Sequence, residues 1–150
     1  MLKRKVYADL LKWKKEANGK ALCIIGARQI GKTTLIREFG KNEYEHFAEL
    51  NFVTDQRAAD IFNDKLTAET IITNLTAYLQ TPLEPGKTLI LFDEVQECPR
   101  VRSAIKFLVE DGRFDYIESG SLLGVRYKDV TSYPVDRKST RLNSSHSEIS

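Results

Sequence analysis

Gly26, Gly31, Lys32 and Thr33 stand in the order G-x-x-x-x-G-K-T, inside the stretch GARQIGKT. This spacing suits a polyphosphate. A loop that wraps phosphate must turn its backbone N–H groups inward, which needs glycine wherever a side chain would block the turn. Ala27, Arg28, Gln29 and Ile30 fill the loop between the glycines and belong to the same nucleotide contact. A helix starting at the loop's end aims its positive N-terminus at the anion. Lys32 then reaches the β- and γ-phosphates, the Thr33 hydroxyl ligates Mg²⁺, and Thr34 contacts the α-phosphate. The alternative is a chance glycine turn; an apolar run before it and a periodic segment after it favour the phosphate loop.

A second group of chemical residues is the acidic pair Asp93 and Glu94, directly after TLILF. An apolar strand would deliver Asp93 to its C-terminal end, where ligands bind in open α/β sheets. Asp93 would hold Mg²⁺ through water, and Glu94 would polarise an attacking water. Two solvated carboxylates capping the next segment are the competing reading. Adjacent acids favour hydrolysis of ATP over transfer to a bound acceptor. Neither an N-K-x-D guanine-reading motif nor an L-S-G-G-Q-like signature occurs in the chain. Two other functions stay open: a nucleotide-gated switch or interaction module with little turnover, and a P-loop small-molecule kinase.

The elements that must position these residues follow from periodicity. Val6, Leu10, Trp13 and Ala17 recur at helical spacing, and Asn18-Gly19 ends that leading helix within residues 1–20. ALCII is an apolar strand, TTLIREF a helix closed by Gly40, and HFAELNF an alternating strand. Residues 55–64 read as helical, and so does TAETIITNLTAYLQ with Thr67 as its N-cap. TPLEPGK is a turn, TLILF a third strand, PRVRSAIKFLVED a helix with Pro99 near its start and Gly112 as its stop, and DYIES a fourth strand. Strands that are apolar throughout, alternating with helices, predict an α/β fold: a parallel sheet with helices on both faces.

Composition narrows the class without naming a partner. The 150 residues suit one domain, 41% are hydrophobic, and the net charge is +2. No run approaches the roughly 20 apolar residues of a membrane span. The start MLKRKVYADLLKWKKEANG has basic residues but no apolar signal core, and Cys23 and Cys98 have no metal-ligand spacing. A reduced, cytoplasmic protein is expected. Residues 1–20 hold Lys3, Arg4, Lys5, Lys12, Lys14, Lys15 and Lys20 against Asp9 and Glu16. A charged wet face of a packed helix explains them; contact with DNA is the weaker reading, since no stacking aromatics interleave.

Three ordered segments, GARQIGKTTL, LILFDEVQECPRVRSAIKFLVEDG and YIESGSLLG, together resemble the prokaryotic AAA-type P-loop ATPases marked by a D-E-[IV]-Q Walker B motif. The resemblance covers nearly all of residues 1–135 and implies an AAA-like (ASCE-type) P-loop NTPase fold using ATP and Mg²⁺. It implies that the strand ending at Ser119 lies between the P-loop strand and the Asp93 strand. Ser119 or Ser121 would then be the polar sensor near the γ-phosphate. Gln96 belongs to the family signature and would either link nucleotide state to the next helix or merely cap it. Assembly into homo-oligomers or with a partner protein is compatible with the family. Arg100, Arg102 and Arg126 are arginine-finger candidates by proximity in sequence alone.

Residues 136–150, DRKSTRLNSSHSEIS, have no periodicity and many serines, as a disordered tail would. DRKSTRLNSSH also resembles the translation of a common sequencing adapter. That resemblance implies a non-native tail following the N-terminal part of a longer AAA-type domain, with the rest of the core and a C-terminal domain missing.

Overall fold

In the computed structural model, which describes residues 2–16, 20–26, 31–121 and 139–143, strands and helices alternate as the hydrophobic pattern predicts. The order is α1 (Leu2–Lys14), β1 (Ala21–Gly26), α2 (Lys32–Glu43), β2 (His46–Asn51), α3 (Ala68–Leu79), β3 (Thr88–Asp93), α4 (Pro99–Asp111), β4 (Asp115–Ser121) and β5 (Ser139–Asn143). Ala17, expected within the first helix, and Asn18-Gly19, expected to end it, lie outside the described residues.

The strands form one parallel sheet in the order β2-β3-β4-β1-β5. Parallel neighbours need long crossovers, which α2, α3 and α4 supply. β4 lies between β1 and β3, as the family resemblance implied. Successive residues of a strand face opposite sides, so an apolar run feeds two cores at once. Leu22, Ile24, Leu89, Leu91 and Ile117 pack with Val6, Leu10 and Trp13 of α1 and Leu35, Ile36 and Phe39 of α2. Cys23, Ile90, Phe92 and Tyr116 face the other way, onto α3, α4 and the segment between β2 and α3.

Helix ends follow local chemistry. The Thr67 side chain accepts from Thr70 N at the start of α3. Pro99 opens α4, and Gly112 closes it at φ 79°, a left-handed value that favours glycine. The helical residues expected at 55–64 form a 3-10 segment, Gln56–Phe62, with Asp55 accepting from Arg57 N.

Two expectations are corrected. Gly40 does not close α2, which continues to Glu43. Gly40 is buried where the helix passes β2, and a Cβ there would overlap the Phe47 ring. Disorder through 136–150 does not hold for Ser139–Asn143, which form β5 alongside β1, in register from Ala21↔Ser139 to Ile25↔Asn143. A sheet edge offers backbone N–H and C=O groups to any extended segment free of proline, so pairing here needs no hydrophobic pattern. The remainder of that tail lies outside the described residues.

Candidate functional site

The chemical residues meet at the C-terminal ends of β1, β2, β3 and β4. Register brings them there: Asn51 is level with Asp93, and Asp93 is level with Ser119. Residues level with one another in neighbouring strands point to the same face, so three polar side chains gather in a row across the sheet. Gly26 ends β1 level with Ser121.

Asp93 is the centre of the cluster and only 4% exposed. Its Oδ1 accepts from Ser119 Oγ at 2.7 Å and from the Glu94 backbone N–H at 2.9 Å. Its Oδ2 accepts from Thr33 Oγ1 at 3.2 Å and from Asn51 Nδ2 at 3.4 Å. A buried carboxylate needs such donors to remain charged away from water. The Thr33 hydroxyl gives its one proton to Asp93, which leaves its oxygen lone pairs for another partner. The hydroxyl and carboxylate oxygens that meet here are all hard donors, a set that fits Mg²⁺ and does not fit a soft metal.

Lys32 opens α2 and donates Nζ–H to the Gly120 carbonyl at 2.8 Å. Two of its three ammonium protons remain for other acceptors. Burial lowers its pKa from the ordinary lysine value, while Asp93 and then Glu94 oppose that shift. Gly31 caps α2 at φ 101°, ψ −15°, a left-handed conformation that glycine adopts without strain, and no side chain caps the helix. The first N–H groups of a helix lack intrahelical partners, so this N-terminus can receive an anion. Thr34, the third residue of α2, is exposed. Ala27, Arg28, Gln29 and Ile30 lie outside the described residues.

Glu94 follows β3 at φ 60°, ψ 47°, left-handed in a residue that is not glycine. That conformation costs about 1–2 kcal/mol. It turns the chain sharply after Asp93, so both carboxylates stand at the same strand end.

The sensor expectation divides. Ser119 is fully buried, and its hydroxyl proton goes to Asp93, so it orients that carboxylate. The Ser121 backbone ends β4, and its side chain is outside the described residues. Arg100 donates to the carbonyls of Phe62 and Asp64, tying α4 to the segment before α3. Arg126 lies outside the described residues. Asn51 and the Gly120 carbonyl were missed in the sequence. The one signal for Asn51 was a polar residue closing an alternating strand, which says nothing of what lies beside it.

The chain's likeness to known proteins agrees with this layout. A family model described as an AAA domain matches residues 18–144, a span that includes both halves of the site and β5. No curated protein matches. Among solved structures, C. elegans PCH-2 shares 13% identity with a TM-score of 0.57, over 97% of this chain and 43% of that one. Drosophila ORC bound to DNA shares 13% identity with a TM-score of 0.56, over 97% and 41% respectively. The Aeropyrum pernix ORC1 protein in complex with DNA shares 12% identity with a TM-score of 0.52, over 95% and 44%. At such identity the likeness is one of fold, and this chain spans less than half the length of each of these three.

Proposed function

The chain belongs to the AAA domain family, an α/β P-loop ATPase-like core, and from that premise we propose that it binds Mg²⁺-ATP and hydrolyses it. The observation that carries this reading is the convergence of Thr33 and Asn51 on Asp93, beside Lys32 and Glu94. The phosphates would lie against the loop Gly26–Gly31 and the open N-terminus of α2. Lys32 would hold the β- and γ-phosphates and Thr34 the α-phosphate. Thr33 and Asp93 would hold Mg²⁺, with Ser119 and Asn51 keeping the Asp93 carboxylate turned towards it. When bound, the metal would neutralise charge on the phosphate oxygens. Glu94 would accept the proton of the attacking water. With Ser119 committed to Asp93, the sensor role passes in this reading to Ser121.

Lys32→Ala and Glu94→Gln separate binding from chemistry. Lys32→Ala is expected to weaken ATP binding at least about tenfold, read with a fluorescent analogue. Glu94→Gln is expected to keep that affinity and lower turnover by about 10²-fold or more. Equal loss of binding in both variants would remove Glu94 from this role.

A nucleotide-gated switch with little turnover remains the second reading. Assembly with further copies or with a partner protein belongs to the proposal as well. For DNA the support is only the exposed Arg4, Lys5, Lys12 and Lys15 of the N-terminal segment. No described helix is long and apolar enough to cross a membrane. Cys23 and Cys98 are buried and not disulfide-bonded, which is compatible with a reduced compartment, the cytoplasm in this reading.

A further inference from the structure

Resting on the reading of Glu94 as the water-polarising carboxylate, we infer that Gln96 is a positioning residue that holds Glu94 in the orientation hydrolysis requires. Gln96 Nε2 donates to Glu94 Oε1 at 2.7 Å. An ionised carboxylate only accepts, so the amide must present its nitrogen at this contact. That orientation leaves the other end stranded: Gln96 Oε1 is buried and has no hydrogen-bond partner among the described residues. Turning the amide over would set its oxygen against the Glu94 carboxylate. The fold therefore tolerates a buried acceptor without a donor while the N–H stays on Glu94.

Backbone geometry enforces the same pairing. Glu94 is left-handed, its N–H is tied to Asp93 Oδ1, and its carbonyl accepts from Glu97 N at 3.0 Å. Val95 between them is fully buried, which anchors the single 3-10 turn Val95–Glu97. The turn brings the side chains of residues 94 and 96 together on one side. Gln96 occupies one carboxylate oxygen and leaves the second for a water proton, the arrangement of a base held by an orienting group. Capping α4 does not explain Gln96, because Cys98 is the N-cap of that helix and no side chain caps it.

The test uses the full chain with Mg²⁺-ATP and four variants: Gln96→Met, which keeps length and removes the donor, Gln96→Glu, Glu94→Gln, and Glu94→Gln combined with Gln96→Met. Turnover in Gln96→Met is expected to fall about 10- to 100-fold while the Kd for ATP stays within about threefold. In the Glu94→Gln background the same change is expected to alter residual single-turnover hydrolysis less than about twofold, because Gln96 acts through Glu94. Wild-type turnover in Gln96→Met overturns the inference, and so does an equal further loss in the Glu94→Gln background. Weakened ATP binding in both Gln96→Met and Gln96→Glu marks a merely structural residue and overturns it too. If Glu94→Gln hydrolyses ATP like wild type, the reading of Glu94 fails first and the role of Gln96 falls with it.

Discussion

Asp93 shows how its neighbours set what a single residue can do. Alone it is an acid at a strand end; with Thr33, Asn51, Ser119 and the Glu94 N–H around it, both of its oxygens are oriented by hydrogen bonds. Tyr116 is the opposite case. Its ring stacks on Phe92 at 5.9 Å and 10° between planes, and its hydroxyl is buried with no hydrogen-bond partner among the described residues. Burial raises its pKa well above the ordinary 10.0. Below pH 10 both folded and unfolded chains keep the phenol proton. Above it the unfolded chain loses the proton and the folded one does not, so stability falls by about 1.4 kcal/mol per pH unit. Tyr116→Phe keeps the stacking and removes this loss. Urea unfolding is expected to find the variant at least as stable as wild type at pH 7, with a lead that widens from pH 10 upward. A constant difference across that range would show that the phenol ionises equally in both states.

Elements were legible where a residue acts on its own backbone. Thr67, Pro99 and Gly112 terminate helices through a hydroxyl, a fixed φ and a left-handed turn, and each effect is confined to one helical turn. Gly40 was not legible, because glycine also serves where two elements approach closely, and only packing distinguishes the uses. Gly40→Ala is a direct check. Alanine improves helix propensity by about 1 kcal/mol, so in an open helix the substitution would stabilise. Against the Phe47 ring it is expected to destabilise by about 1–2 kcal/mol net, read from denaturant midpoints. A gain in stability would mean that the ring moves aside freely.

Across the sheet, β1 and β3 are apolar through their middles, and polar side chains gather at both ends of the strands. At one end Lys20 and Asp115 form a buried ion pair at 3.3 Å, and Tyr44 donates to Asp115 at 2.6 Å. At the other end the strands deliver the Asp93 cluster. β5 flanks β1 on the side away from β4, so it covers the edge of the strand that leads into the proposed phosphate loop. A chain ending at residue 135 is expected to leave that edge unpaired and to self-associate, with a larger mass by light scattering. A monomer as stable as the full chain would show that β5 shields nothing. The non-native origin of residues 136–150 remains a proposal alongside this, because backbone pairing does not depend on where the sequence came from.

The order of strands and helices was determined by the sequence itself, and the proposed phosphate loop and the adjacent Asp93-Glu94 pair were legible in it. Their information is local: contiguous residues share one turn of backbone, and periodicity states which face is apolar. Only the tertiary structure decided that Asn51, Ser119 and Gly120 join the site, that Gly40 is a point of close approach, and that Ser139–Asn143 pair with β1. Apart from Gly40 against its near neighbour Phe47, those contacts join residues at least 26 positions apart and are fixed by register and crossover. A single chain read along its length carries no direct record of register, since pairing uses backbone groups that every residue has in common.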